Sequence, residues 1–597
     1  MPALPKAPVL RASAYRPIAD YGIVGNCHTA ALISSEGSID WMCAPSFDSP
    51  PLFARLLDAG NGGHFAVQPA AVFESDAEYA GFSAVLNTTF RTTSGAASLT
   101  DFMPLREGEG AQRFGMPRAQ NRLVRIIEGI EGHVVLRIEC RPRPSFGAEQ
   151  LAKLSLRSSI PLTKAGEDSL ADFTVSAGER AVLVLEWSEA AEPCPATAGW
   201  ALRALDETLA FWRSWHRTCR YRGPYYDAVM RSLATLKLLT YAPTGAMVAA
   251  PTASLPEEIG GVRNWDYRYT WIRDASLAFH ALLDAGHSED TRRFMQWVCE
   301  MALRCEPGGL QIMYGVRGER DLTERSIDGL EGYRASSPVR VGNQASTQFQ
   351  LDVYGELLEC FEVLRRSGEM PEQDLRDMWP AFSGQVDAVA RRWREPDCGI
   401  WEVRSAPRHF IHSKVLAWVA LDRGIRAAQA AGLPADVARW RREREAAREE
   451  VLSKGYDERL GAFVQSYGSE LPDAANLLLP IVGFIEASDP RMRSTVEVIQ
   501  ARLLFDGLVY RYRGAEDGVP GGEASFAVCT FWLVENLVLL GRADEAREIF
   551  EAMLARATRL GLFAEELEPR TQAHLGNFPQ ALTHIGLINA AVALARP

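Results

Sequence analysis

The pattern of hydrophobic residues changes near residue 200, and this change constrains the fold more than any other feature of the chain. Short apolar runs at residues 30–33, 133–138 and 180–185 are separated by Gly, Pro, Ser and Asp, which is typical of strands in an antiparallel sandwich. From residue 225 onward the apolar residues instead follow a helical period. The sequence therefore predicts an α+β protein with a β-rich part followed by an all-helical part.

The helical part contains twelve candidate helices that follow one another in pairs. An even run of helical hairpins can close into a ring, the (α/α)6 toroid, whereas an open solenoid is the alternative, although no repeat of fixed length is visible. We predict a β-sandwich domain at 1–199, a helical linker at 200–220 and an (α/α)6 catalytic domain at 221–597. The predicted helices span 225–242, 274–286, 288–304, 344–366, 372–394, 412–431, 434–454, 473–486, 490–504, 523–540, 542–559 and 580–595.

Several helices are preceded by long loops, such as residues 306–343 and 505–522. Loops of this length are uncommon in compact helical proteins and more often carry function. Because each of them precedes a helix, they can gather at one mouth of a toroid.

Composition excludes several classes of function. The net charge of −12 argues against a nucleic-acid surface, and no apolar run approaches the roughly 18 residues of a membrane span. The first six residues lack an apolar signal core, so we expect a cytoplasmic protein. The ten cysteines form no CxxC pair, which favours reduced thiols over disulfides or a zinc site.

Residues 263–276 combine aromatic side chains with the pair Arg273–Asp274 at the entrance of a predicted helix. Aromatic faces pack on sugar rings, and Arg and Asp hold hydroxyl groups with charge-assisted hydrogen bonds, so the stretch suits a polyol. An equally simple interpretation is a helix start with Asp274 as its cap and aromatics that belong to the core.

Glu402 and Glu565 lie in two further loops, each in an apolar or aromatic setting. Such a setting raises a carboxyl pKa, as a general acid near neutral pH requires. Spacing alone leaves other interpretations open, because Glu402 can pair with Arg404 or Arg408 and because Glu566 directly follows Glu565.

With these residues the sequence resembles glycoside hydrolase family 15, in its bacterial glucoamylase-like and trehalase branch, over nearly the whole chain. The fold that this resemblance implies is a β-sandwich followed by an (α/α)6 toroid. The motifs that carry it lie at residues 19–41, 47–50, 250–257, 263–276, 337–343, 413–414, 418–423 and 576–580.

The resemblance also implies roles for individual residues. Glu402 matches the general acid, Glu565 matches the general base, and Glu566 is the alternative register for the base. Arg273 and Asp274 match the pair that holds the innermost glucose. The remaining matches are the aromatic residues Tyr267, Trp271 and Trp401 and the further sugar contacts Arg340 and Arg511.

The activity implied is an inverting, exo-acting hydrolase that releases β-glucose from the non-reducing ends of short α-glucans. A trehalase that cleaves α,α-trehalose is the alternative, and a catalytically inactive carbohydrate-binding toroid is a lesser one. The chemistry needs no metal or other cofactor, and the expected partner is the sugar substrate, with oligomeric state left open. Gly329 stands where relatives often carry His, in a segment expected to shape the outer subsites.

Overall fold

A computed structural model describes residues 15–107, 117–147, 154–187, 194–514 and 517–596. The predicted fold class is confirmed, with an antiparallel β-sandwich followed by an (α/α)6 toroid. Residues 1–6, on which the cytoplasmic expectation rested, lie outside the described ranges, so the location stays a prediction. Among the helices of these ranges, none combines the length and apolarity that a bilayer crossing requires.

Fifteen strands form the N-terminal part of the described chain. They are β1 (Tyr21–Gly25), β2 (Ala30–Ser34), β3 (Ser38–Cys43), β4 (Pro51–Phe53), β5 (His64–Pro69), β6 (Glu74–Tyr79), β7 (Leu86–Thr92), β8 (Gly95–Phe102), β9 (Leu105–Glu107), β10 (Pro117–Ala119), β11 (Arg122–Arg141), β12 (Leu154–Ser158), β13 (Thr163–Ala165), β14 (Asp168–Ser176) and β15 (Arg180–Trp187).

The long strand β11 belongs to both layers of the sandwich. Its first half pairs with β8 and β15, and its second half pairs with β5 and β14, always antiparallel. The register shifts between Gly129 and Glu131, where a β-bulge lets a strand bend. Alternate residues of both halves, such as Leu123, Ile127 and Leu136, are buried in one core between the layers.

Thirteen α-helices follow within the described ranges. They are α1 (Ala198–Arg217), α2 (Tyr226–Leu239), α3 (Ile272–Asp284), α4 (Ser288–Leu303), α5 (Asp352–Ser367), α6 (Glu372–Arg392), α7 (Ile411–Ala431), α8 (Val437–Lys454), α9 (Leu478–Ile481), α10 (Pro490–Leu503), α11 (Ala527–Leu539), α12 (Ala543–Leu554) and α13 (Ala581–Ala595).

Helix α1 lies where the linker was predicted, and α2 to α13 match the twelve predicted toroid helices in order. The inner ring runs through α3, α5, α7, α9, α11 and α13, each in contact with the next, and α13 packs back on α3. The chain is therefore a closed ring and not an open solenoid.

The largest differences from the predicted helix bounds are at α5 and α9. Helix α5 begins at Asp352 and not at 344, because Asn343 caps a 3-10 turn at Gln344–Thr347 and the chain then becomes extended at Gln348. Helix α9 is one turn, because Pro480 cannot donate a backbone hydrogen bond and Gly483 adopts a positive φ of 73°.

The Gly, Ser, Asp and Pro of residues 37–45 suggest a loop in the sequence, but the segment contains strand β3. Its tryptophan, Trp41, is fully buried and donates from Nε1 to the carbonyl of Pro251 at 2.7 Å. Trp41 belongs to the same hydrophobic core as the toroid helices. The sandwich is thus joined to the loop that precedes the 263–276 stretch.

The loops between the toroid helices carry short strands. They are β16 (Ala253–Pro256), β17 (Asn264–Asp266), β18 (Thr270–Trp271), β19 (Met313–Tyr314), β20 (Arg325–Ile327), β21 (Val339–Val341), β22 (Tyr456–Asp457), β23 (Ala462–Phe463), β24 (Leu504–Phe505), β25 (Leu508–Val509), β26 (Ser525–Phe526), β27 (Glu566–Leu567) and β28 (His574–Leu575).

Candidate active site

A pocket lies at the mouth of the toroid, where loops from distant parts of the chain meet. Its water-accessible volume is about 60 Å³. Of the predicted site residues, Tyr267, Arg273, Trp401, Glu402 and Arg511 line it. The other four, Trp271, Asp274, Arg340 and Glu565, lie behind this lining, and Trp271, Asp274 and Glu565 each bond to a residue that forms it.

Arg273 and Asp274 form the ion pair that the sequence suggests. Arg273 Nε donates to Asp274 Oδ1 at 2.8 Å, and Nη1 donates to the carbonyl of Ile400 at 2.8 Å. Helix α3 has Trp271 at its N-cap position and no side-chain cap hydrogen bond. The interpretation of Asp274 as a helix cap is therefore wrong, because its carboxylate orients the guanidinium of Arg273.

Glu402 stands beside Arg273 in an unusual backbone conformation. Its φ is 57°, a left-handed value that is strained for a residue other than glycine. The turn is fixed by a bond from its N–H to the carbonyl of Gly399 at 3.1 Å, while Gln348 Nε2 donates to its carbonyl at 3.1 Å. The sequence motif does not reveal this strain, which turns the side chain of Glu402 into the pocket.

The positive charge of Arg273 partly offsets the negative charge of the ionised Glu402 carboxyl group. Its Oε1 accepts from Trp271 Nε1 at 2.5 Å and lies 3.5 Å from Arg273 Nη1. Burial raises the pKa of Glu402, and the charge of Arg273 and the bond from Trp271 partly oppose this rise. About 19% of the side chain remains exposed, so the group can exchange a proton with a bound molecule. Its suggested pairing with Arg404 does not form, since Arg404 binds Glu324.

Glu565 is fully buried directly before β27. Its Oε1 accepts from the hydroxyl of Tyr267 at 2.5 Å, and its Oε2 accepts from the backbone N–H of Asn577 at 3.0 Å. Burial raises the pKa of Glu565 to about 8, the negative charge of Glu257 adds to the rise, and the bonds from Tyr267 and Asn577 oppose it.

Gly576 makes room for this carboxylate. It has a φ of 69°, and a Cβ atom there would lie 2.4 Å from Glu565 Oε2. The neighbouring Asn577 also donates from Nδ2 to the carbonyl of Trp265 at 2.9 Å and accepts from Thr252 Oγ1 at 2.9 Å. The loop that carries Glu565 is therefore tied to the 263–276 stretch through one buried asparagine.

Tyr267 and Trp271 connect the two glutamates. Their rings meet edge to face with centroids 5.3 Å apart, an arrangement that aromatic pairs favour. Tyr267 donates to Glu565 and Trp271 donates to Glu402. Both carboxyl groups are therefore oriented by the same short segment before α3.

Glu566, the alternative register for the base, faces a different environment. Its Oε2 accepts from the N–H of Ala524 at 2.9 Å, and its Oε1 lies 4.0 Å from Arg511 Nη2. Burial raises the pKa of Glu566 well above its usual range. Glu565 is hydrogen-bonded to Tyr267, a residue of the pocket lining, and this contact favours Glu565 over Glu566 as the base.

Glu566 forms a carboxylate cluster with Glu257 and Glu523, whose oxygens lie within 4.8 Å of one another. Arg511 Nη2 contacts all three, with Glu257 at 3.3 Å and Glu523 at hydrogen-bond distance, and Arg263 pairs with two of them. The guanidinium groups supply the positive charge that such a cluster needs, so it forms an ion-paired wall of the pocket.

The remaining predicted residues have distinct positions. Trp401 donates from Nε1 to both oxygens of Asp473, at 2.9 and 3.1 Å, and Arg511 lies over its ring at 5.6 Å. Arg340 does not line the pocket. It packs over the ring of Trp265 at 4.8 Å and donates to the carbonyl of Val262 at 2.7 Å, so it supports the wall and not the sugar directly.

Sequence reasoning missed several lining residues: Glu257, Arg263, Trp265, Tyr512 and Asp517. Glu257, Arg263 and Trp265 lie within the motifs that carry the resemblance, yet no local pattern distinguishes them from structural residues. Tyr512 and Asp517 lie in a long loop next to Arg511, where only the tertiary contacts reveal their place.

The segment around Gly329 does not shape the pocket. None of residues 326–333 lines it, and Gly329 itself is exposed with no neighbour where a side chain would extend. Tyr333 instead donates to the carbonyl of Arg16 at 2.8 Å, which holds the segment against the sandwich. The segment therefore does not line the inner pocket, and its role in outer subsites stays a prediction.

Chemically, the site offers two protonatable carboxyl groups, a fixed guanidinium and aromatic edges around a small pocket. Glu402 is placed to give a proton, since burial favours its neutral form. Glu565 is placed to receive one through a carboxylate that two donors stabilise. This arrangement suits acid–base hydrolysis of a neutral polyol.

Comparisons with known proteins agree with this geometry. Residues 223–592 match the model of the glycosyl hydrolases family 15, and residues 8–163 match the trehalase-like N-terminal model. A trehalase of Mycolicibacterium smegmatis is 39% identical, covering 99% of this chain and 92% of that protein. A trehalase of Thermoplasma volcanium is 35% identical, covering 97% and 93%.

Among solved structures, a bacterial glucoamylase complexed with acarbose superimposes with a TM-score of 0.70. The match covers 97% of this chain and 94% of the glucoamylase chain, at 13% sequence identity. At this identity the likeness shows the fold, with both the sandwich and the toroid included.

Proposed function

Because the chain belongs to the glycosyl hydrolases of family 15, we propose that it is a trehalase, which hydrolyses α,α-trehalose to two molecules of glucose. The chain is a glycoside hydrolase that acts on α-glucosides, and the proposal concerns which α-glucoside it hydrolyses. The inactive carbohydrate-binding toroid considered from the sequence is accordingly set aside.

The observation that carries the choice of trehalose is the set of relatives named trehalase that match this chain over nearly its full length. Two mycobacterial proteins and one archaeal protein of that name are 35–39% identical to it. These relatives favour trehalase over the glucoamylase-type activity expected first, because the glucoamylase likeness concerns the fold alone.

We assign the catalytic roles within region 221–597, the proposed catalytic domain. Arg273 holds the innermost glucose, oriented by Asp274, and the edge of Tyr267 bounds the same subsite. Glu402 acts in its protonated form, which burial favours, and gives its proton to the glycosidic oxygen as the bond to the anomeric carbon breaks.

Glu565 acts on the opposite side of the anomeric carbon. As a carboxylate held by Tyr267 and Asn577, it takes a proton from the attacking water, and the new C–O bond forms as the old one breaks. The anomeric carbon is inverted in this single displacement. The glucose whose anomeric carbon is attacked is released as the β-anomer. The glucose that departs with the glycosidic oxygen keeps the α-configuration.

The test is to incubate the protein separately with trehalose, maltose and isomaltose and to follow the anomers by proton NMR. We expect trehalose to give α- and β-glucose in equal amounts before mutarotation. Faster turnover of maltose or isomaltose than of trehalose would support the glucoamylase-type activity instead. Two α-glucose molecules as first products from trehalose would disprove inversion.

A further inference from the structure

One wall of the pocket is held shut by a buried ion pair that the catalytic roles above do not use. Residues 517–523, here called the latch segment, lie against residues 404 and 405, which closely follow Glu402 in the chain. Asp517 and Val519 of this segment line the pocket together with Arg263, Arg404 and Tyr512.

Asp517 is the centre of the contact. Its Oδ2 lies 2.8 Å from Arg263 Nη2 and accepts from the hydroxyl of Tyr512 at 2.7 Å. Its carbonyl accepts from the backbone N–H groups of Arg404 and Ser405, at 2.7 and 3.0 Å. One buried aspartate thus joins the latch segment to three other parts of the pocket wall.

Arg263 strengthens the same closure from the opposite side. Its Nη2 also donates to the carbonyl of Val519 at 2.9 Å, and its Nη1 lies 3.5 Å from Glu523. Both ends of the latch segment are therefore bound to one guanidinium.

The backbone of the latch segment packs directly against the backbone of the loop that carries Glu402. Gly518 has a φ of 85°, and a Cβ atom there would lie 2.5 Å from the nitrogen of Ser405. The two backbones touch because this position has no side chain.

The latch closes the side on which a leaving group must lie. The innermost sugar is held at Arg273 and its glycosidic oxygen meets Glu402, so the departing sugar extends past Glu402 toward Val403 and Arg404. The latch segment is bound at this point, because the backbone N–H groups of Arg404 and Ser405 donate to the carbonyl of Asp517.

The latch segment limits how far a leaving group can extend. Asp517 and Val519 line the pocket together with Val403 and Arg404, so a leaving group of more than one sugar unit meets the latch segment and has to displace it.

From this geometry we propose that Asp517 and Arg263 are specificity-determining residues that restrict the leaving group to a single sugar unit. The inference rests on the proposed trehalase function and adds the reason why the enzyme does not degrade longer α-glucans. The two residues act by closing the wall and make no chemical step of their own.

The experiment compares two substrates that contain the same α,α bond. One is trehalose, and the other is trehalose that carries one further α-1,4-linked glucose on one ring. Whichever terminal glucose of this trisaccharide enters the innermost subsite, the leaving group has two sugar units. The ratio of kcat/KM values for the two substrates then measures the restriction.

We expect the unmodified enzyme to prefer trehalose by at least about 100-fold, within the range over which pocket walls discriminate. Asp517→Ala and Arg263→Ala should each reduce this preference by at least about 10-fold. Asp517→Asn keeps the size and the acceptor oxygen but loses the charge, so it should give a smaller reduction and serves if the alanine variants do not fold.

Asp489→Ala is the matched control, because Asp489 forms an Asp–Arg pair of the same 2.8 Å length with Arg491 at the start of α10, away from the pocket. It should leave the ratio unchanged. Absence of trehalose hydrolysis by the unmodified enzyme would refute the proposed function. Trehalose hydrolysis with equal use of the trisaccharide, or folded Asp517 variants with an unchanged preference, would overturn the latch alone.

Discussion

Glu402 lines the pocket and Glu565 lies directly behind its lining, and the two loops hold these carboxyl groups by different means. Glu402 sits on a strained turn, is about 19% exposed and has the positive charge of Arg273 nearby. Glu565 is fully buried, is held by two neutral donors and has the negative charge of Glu257 nearby. An acid must exchange its proton with the substrate, whereas a base must be aimed at one water, and the two loops differ accordingly.

Removing either carboxyl group should have the largest effect. Glu402→Gln and Glu565→Gln should each lower kcat on trehalose by at least about 100-fold, the scale of a general acid or base contribution. Steady-state kinetics measures the loss, and circular dichroism checks the fold. Glu566→Gln is the control for the register, since an inactive Glu566→Gln beside an active Glu565→Gln would move the base by one residue.

Replacing a glycine near each glutamate by alanine should affect kcat differently in the two loops. In Gly576→Ala the new Cβ meets Glu565 Oε2 itself, whereas in Gly399→Ala it meets the ring of Phe410 at 2.7 Å. Both positions have positive φ, so each variant should lose about 1–3 kcal/mol of unfolding free energy. The loss of kcat should be much larger for Gly576→Ala, and equal losses would contradict the difference between the loops.

Removing the two aromatic donors should shift opposite limbs of the pH profile. Because the pKa of Glu565 is raised to about 8, further than that of Glu402, the alkaline limb of kcat/KM reports Glu565 and the acidic limb reports Glu402. Tyr267→Phe deprives the Glu565 carboxylate of a donor, which raises its pKa, so the alkaline limb should move to higher pH. Trp271→Phe likewise raises the pKa of Glu402, so the acidic limb should move to higher pH.

In addition, Tyr267→Phe should lower kcat/KM by roughly 10- to 100-fold, as the loss of a hydrogen bond to a charged group predicts. The pH dependence of kcat/KM between acidic and alkaline buffers measures both shifts. A shift of the same limb in both variants would mean that the acid and base assignments are wrong.

Neutralising Glu257 should have the smallest and most selective effect. Its negative charge raises the pKa of Glu565, so Glu257→Gln should lower that pKa and move the alkaline limb to lower pH. The acidic limb reports Glu402 and should stay in place. A shift of the Glu565 limb to higher pH would instead show that the contacts of Glu257 with Trp265 and Arg511, which the variant loses, outweigh the lost charge.

The sequence predicts the helices of the toroid well because their apolar period is local. The helical period by itself leaves an open solenoid possible, because ring closure depends on α13 packing against α3. It also misses the shortening of α9, where Pro480 and Gly483 override the apolar pattern. In strand β3 the sequence does not show that Trp41 is buried against the toroid, because its partner, the carbonyl of Pro251, lies 210 residues away in the chain.

In the candidate site, motifs identify Arg273, Glu402 and Glu565 as residues but not their arrangement. The left-handed turn at Glu402 and the bond between Tyr267 and Glu565 depend on tertiary contacts between distant loops. Arg340 matched a sugar contact by motif, yet the structure uses its guanidinium to support Trp265. Long loops of irregular length allow such differences, because the same residue type can face either side of the wall.

The burial of Trp41 among toroid residues has a consequence for how the molecule unfolds. A single hydrophobic core contains Ile23, Leu32 and Trp41 of the sandwich together with residues of α2, α3 and α13. Cutting the chain between the two architectures would leave this apolar surface open to water, at a cost of roughly 25 cal/mol for each Å² exposed. We therefore expect the sandwich and the toroid to unfold as one cooperative unit. The helical ring alone should be less stable than the whole chain.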